Sequence, residues 1–132
     1  MRVPDWPRRL SALMLARQDV PFAWGLNDCA SFAADAAQAL RGVDVLAELR
    51  GERRTALAAR RQIEAGGGIP AALARAGLAE VPPALAQRGD LLWLAQGEDH
   101  VLAVCWGELA AAPGPQGLGF ASMDGAVRAW RV

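Results

Sequence analysis

The sequence predicts an α+β domain, with N-terminal helices packed on a C-terminal antiparallel sheet. Three observations carry this. Up to Gly77, apolar residues recur mostly at helical spacings, between turn and glycine breaks. Beyond "VPPALAQRGD" the chain changes to short apolar runs broken by Gly, Pro and acidic turn residues. The two patterns do not alternate, as the units of a parallel sheet would.

The elements follow in order. "PRRLSALMLARQ" sets Leu10, Leu13, Met14 and Arg17 on one side of a short amphipathic helix, with Pro7 in its first turn. "DVPFAWGLND" is a loop, marked by Pro21, Gly25 and Asn27-Asp28. "CASFAADAAQALRG" is the clearest helix: Asn27 or Asp28 caps it, Phe32, Ala36 and Leu40 share a face, and Gly42 ends it. "VDVLAELRGE" reads equally as helix or loop. "RTALAARRQIEAGGG" is a helix with Thr55 as its cap, stopped by Gly66, Gly67 and Gly68, and "IPAALARAG" is a shorter one ending at Gly77. Both are rich in alanine, so their packing faces are thin. "DLLWLA", "HVLAVCWG", "LAAAPG", "LGFASM" and "AVRAWRV" then read as the strands of a meander.

A length of 132 residues fits one domain, 1–132, with a core of its own. The formal net charge is zero, which argues against a nucleic-acid partner. All basic residues are arginine, and lysine and tyrosine are absent, which reads as coding bias in an alanine-rich chain. No run is apolar enough to span a bilayer, and no secretory signal is legible at the N-terminus, so synthesis and folding in a bacterial host cytoplasm are expected. No cofactor or metal is expected: His, Cys and Asp show no ligand spacing, and "EAGGGIP" lacks the Gly-Lys-Ser/Thr of a phosphate loop. The arginines of "GERRTALAARR", Arg53, Arg54, Arg60 and Arg61, read as a solvated helix face, and the five tryptophans as core or interface anchors.

Two residues bear on chemistry. Cys29 opens the best helix, where unpaired N–H groups and the helix dipole favour a thiolate. His100, the single histidine, follows the turn "QGED" at the head of a strand. A thiol nucleophile needs a nearby base, and imidazole is the usual one. The competing reading makes Cys29 a small core residue and His100 a surface residue. Cys105, inside an apolar strand, has only the core reading.

"PFAWGLNDCASFAADA" resembles the nucleophile segment of the NlpC-like cell-wall peptidases, in which an aromatic-Trp-Gly loop leads to Asp-Cys at a helix start. "RGDLLWLAQGEDHVLAV" resembles that family's Gly-Asp strand, turn and base-bearing strand, and "LAAAPGPQGLGFASM" its next hairpin. The resemblance implies a papain-like fold, with Cys29 as nucleophile and His100 as general base. Phe22, Trp24, Asp28 and Asp90 would wall or support the site. The family's third polar residue would fall near Ala111, which cannot hydrogen-bond an imidazole, and Ala30-Ser31 stands where the family has Ser-Gly. The whole pattern, through "RAWRV", is closer still to short phage-encoded domains of unknown function from tail modules, many of which lack the histidine. That likeness implies a virion tail-tip (baseplate hub) component, mainly structural, whose partners are other tail-tip proteins. The alternative is an active cysteine peptidase or amidase that cuts peptidoglycan stem peptides as the genome enters the cell. A small acyltransferase on the same fold is a third possibility.

Overall fold

The computed structural model describes residues 1–51 and 55–132. Arg53 and Arg54, and with them half of the expected arginine face, lie outside the described residues. Helix α1, Trp6–Arg17, has proline in its first turn and buries Leu10 and Met14. Helix α2, Cys29–Arg41, starts at an Asp28 cap and stops at Gly42, whose φ of 76° suits a residue without Cβ. Phe32, Leu40 and five alanines of α2 are buried. These small residues do not weaken the packing face. They let the helix lie close to its neighbours, with Phe32 and Leu40 filling the remaining space.

The stretch that read two ways contains one 3₁₀ turn, Ala47–Leu49, with Leu46 and Leu49 buried. Helix α3, Ala56–Ala65, is capped by Thr55, whose Oγ1 accepts the Ala58 N–H at 3.1 Å. Helix α4, Ile69–Arg75, follows the three glycines and buries Ile69, Ala72 and Leu73.

Six strands form one antiparallel sheet: β1 (Glu80–Val81), β2 (Leu91–Gln96), β3 (Asp99–Trp106), β4 (Leu109–Gly114), β5 (Gly117–Ser122) and β6 (Ala126–Trp130), in the order β1-β6-β2-β3-β4-β5. The expected meander holds from β2 to β5 and fails at β6. After the turn Met123–Gly125, β6 crosses to the far side of β2 and pairs Trp130 with Leu91. There it leaves β1, which the sequence reading missed, at the edge. Period and turn residues mark a strand, but its neighbour is chosen by which open edge lets its side chains reach the core.

Both faces of the sheet are apolar. Leu91, Leu102, Val104, Ala111 and Trp130 join the helices in the larger core. Leu92, Leu94, Ala103, Cys105, Ala110 and Ala129 form a second cluster. Burial on both sides explains why the strands read as continuous apolar runs.

Candidate functional site

The site begins with the loop that sets Cys29. The Asp28 carboxylate is buried, with Oδ1 accepting the Ser31 N–H at 2.8 Å and Oδ2 the Gly25 N–H at 2.9 Å. Ser31 Oγ accepts the Asp28 N–H at 2.9 Å, completing a capping box. Gly25 has a φ of 76°, the left-handed turn that aims its N–H at the carboxylate. Asp28 thus ties the loop before Cys29 to the first turn of α2, and Ser31 completes the box.

Asn27 ties the same loop from within. Its Nδ2 donates to the Val20 and Pro21 carbonyls at 3.2 and 3.1 Å, and its Oδ1 accepts from Arg17 at 2.9 Å. Arg17 also pairs with Asp35, which pairs with Arg50. The Phe22 N–H donates to the Gly114 carbonyl at 2.8 Å, locking the loop to the end of β4. Cys29 therefore sits half-buried on the first residue of α2, held by a loop with little freedom.

His100 is the second residue of β3 and is exposed. Leu102 and Val104 of β3 belong to the helix-side core, so the period of two sets His100 on that side too. Its ring stacks on Trp93 of β2, with centroids 5.3 Å apart and planes 3° from parallel. The β2–β3 hairpin pairs Ala95 with His100 and Trp93 with Leu102, so Trp93 is the diagonal neighbour of the imidazole. The sequence alone reads Trp93 only as an anchor. The hairpin turn at Gly97-Glu98 was the signal that could have paired it with His100.

Cys29, His100, Trp93, Phe22 and Trp24 all line one cavity of about 820 Å³. Phe22 and Trp24 meet edge to face, with centroids 4.7 Å apart. Trp24 is 36% exposed, so its ring is only partly packed.

The cavity continues between β3 and β4 because these strands separate. Their pairing runs only from Trp106↔Leu109 to Val104↔Ala111. The next hydrogen-bonded pair would set Pro113 against Leu102, and proline has no N–H to donate. Pro113 and Gly114 line the gap instead.

Asp90, expected as a support, and Ala111, where the resemblance would set a third polar residue, lie elsewhere. Ala111 is fully buried and opposite Val104, four residues along β3 from His100, or about 13 Å at strand rise. The register, not only the alanine side chain, removes it from the imidazole. Among the described residues no side chain hydrogen-bonds to the His100 ring, Glu98 and Asp99 included. Asp90 is fully buried at the other end of β2 and does not line the cavity. It accepts from Arg2, the Gln87 N–H and the Val132 N–H, and pairs with Arg131, so it joins the two ends of the chain.

Cys105 lies in the second core cluster and is fully buried. Burial pushes its thiol pKa up, as does the charge of Asp90, against a backbone hydrogen bond with Gly107 and the charge of Arg2, which lower it. Among the described residues, no cluster of three or more His, Cys, Asp or Glu could hold a metal ion, and no helix is long and apolar enough to cross a membrane.

The chain matches, over residues 1–132, a family described as a domain of unknown function (DUF6950). No curated protein matches it. The chain belongs to the DUF6950 family.

Proposed function

From the resemblance of its sequence motifs, we propose that the chain is a phage or prophage tail-tip component on a papain-like, NlpC-like fold, with a mainly structural role. Its partners are neighbouring hub proteins. The arrangement of a cysteine opening a helix and a histidine heading a strand of an antiparallel sheet supports the kinship. One observation carries the structural role. The His100 ring lies flat on Trp93 with no orienting hydrogen bond among the described residues, and Ala111, where the resemblance would set a third polar residue, lies opposite Val104, four residues along β3. Loss of an orienting group costs several orders of magnitude in related thiol and hydroxyl nucleophile systems.

The second reading is a cysteine peptidase or amidase acting on peptidoglycan stem peptides. It is favoured by Cys29 and His100 lining one cavity. In that chemistry the Cys29 thiolate attacks the amide carbon and His100 gives a proton to the leaving amine. Water, deprotonated by His100, then cleaves the thioester and returns the free thiol.

Infection separates the readings. Deleting the whole gene should abolish tail formation. A Cys29→Ala virion should assemble intact tails and infect normally, because alanine replaces a small side chain with little packing loss. Intact Cys29→Ala tails that fail to deliver DNA would make the peptidase reading correct. Normal tails after gene deletion would remove the structural role.

A further inference from the structure

Four arginines gather at the end of α2 remote from Cys29. Arg41 is the last residue of the helix. Arg2 lies against the turn before β2: its Nη1 donates to the Arg88 carbonyl at 2.8 Å, and its Nη2 to Asp90 at 2.9 Å. Arg131 reaches the other oxygen of Asp90 at 3.3 Å. That carboxylate is the group's only ion-pair partner among the described residues, and its capacity is used. Oδ1 accepts from Arg2 and Val132, while Oδ2 accepts from Gln87 and faces Arg131.

Arg41 and Arg88 have no ion pair among the described residues, and the Arg41 Nε is buried without a hydrogen-bond partner there. Two of the four guanidinium groups thus pair with one carboxylate, and the other two have no ion pair among the described residues. Burial, then the charges of Arg131 and Arg41, hold the Arg2 pKa below its usual value, even with Asp90 acting to raise it.

Two tryptophans complete the face. Trp6 has Arg2 at 4.3 Å and Arg88 at 5.7 Å from its ring centroid, and Trp106 has Arg88 at 5.0 Å. Arg88 itself is exposed. Of the nearby acids by sequence, Asp5 is engaged with Arg8 and Arg9, Asp44 pairs with Arg50, and neither Asp44 nor Glu108 pairs with any of the four among the described residues.

We infer that this face docks an acidic segment of a partner protein, whose clustered Asp or Glu side chains meet Arg88 and Arg41. Crowded guanidinium groups repel one another, and arriving carboxylates relieve that repulsion with directed, paired hydrogen bonds. Arginine and tryptophan are the residues that dominate binding at protein interfaces. Nucleic acid fits less well. The chain has zero formal net charge, and guanidinium groups already lie over these indole rings, which base stacking would need. The inference is independent of the peptidase reading, because the Cys29 cavity lies at the opposite end of α2.

The test uses the purified full chain titrated with hexaglutamate at low salt, followed by tryptophan fluorescence and calorimetry. Saturable binding that weakens with salt is expected. Arg88→Glu should weaken it about tenfold or more, whereas Arg61→Glu, the same change of charge on α3, should leave it within about twofold. Arg41→Glu is the second reversal, should Arg88→Glu fail to fold. Absence of saturable binding, or equal losses in the patch and α3 variants, overturns the inference. Tighter binding of a single-stranded oligonucleotide of equal charge also overturns it, in favour of nucleic acid.

Discussion

At the residue scale, the two cysteines should differ in reactivity. Cys29 lies half-buried on a cavity wall at a helix start, whereas Cys105 is fully buried with its thiol pKa raised. Alkylation of the native chain at neutral pH should modify Cys29 at least about tenfold faster, as peptide mass mapping over time would show. Equal rates would remove Cys29 from any chemical role. Cys105 also has a pH signature. Its folded pKa is raised, so the unfolded thiol ionises first, and the contribution to stability is present below the unfolded pKa and lost as pH rises above it. Cys105→Ala should flatten this alkaline loss in denaturation curves measured across that range. Asp28 has a different task, satisfying N–H groups of both the loop and the helix. Asp28→Ala should cost about 2 kcal/mol in urea unfolding, a lost cap plus an unpaired loop N–H. Trp24→Ala should cost less than the roughly 3–5 kcal/mol of a buried tryptophan, because a third of the residue is already exposed.

At the scale of elements, β4 decides the shape of the site. Proline at 113 ends the β3–β4 ladder and opens the gap that the cavity enters. Pro113→Ala supplies the missing N–H, so the ladder should gain the pair Leu102↔113 and the cleft should narrow. Hydrogen exchange should then show a protected amide at 113, and alkylation of Cys29 should slow. An amide that exchanges freely at 113 would show that another contact holds the strands apart. Helix α2 makes the complementary case for small residues. Ala33 and Ala37 are fully buried, with no room for longer side chains. Ala33→Leu should destabilise by about 1–3 kcal/mol through overpacking, measurable in the same unfolding assay, although leucine is a good helix former.

At the scale of the whole molecule, Asp90 fastens the two ends of the chain to the start of β2. Removing it would leave Arg2, Arg131 and two backbone N–H groups without their acceptor. Asp90→Ala should cost about 3–5 kcal/mol, the range for breaking a buried charge pair from one side. A loss below about 1 kcal/mol would show that water replaces the carboxylate. Local rules made much of this molecule legible in the sequence. The Asp28 cap, the αL stop at Gly42, the cap at Thr55 and the hairpin turns depend on residues a few positions apart, and so did four helices, five strands and the position of Cys29 at a helix start. Contacts between distant segments had no such signal. The return of β6 to β2, the seat of Asp90 between the chain ends, the distance of Ala111 from His100 and the placing of Cys29 and His100 on the wall of one cavity were decided by strand order and register. A period of two states which residues share a face, but not which strand lies alongside. That choice follows from burying both sheet faces at once, a property of the assembled fold.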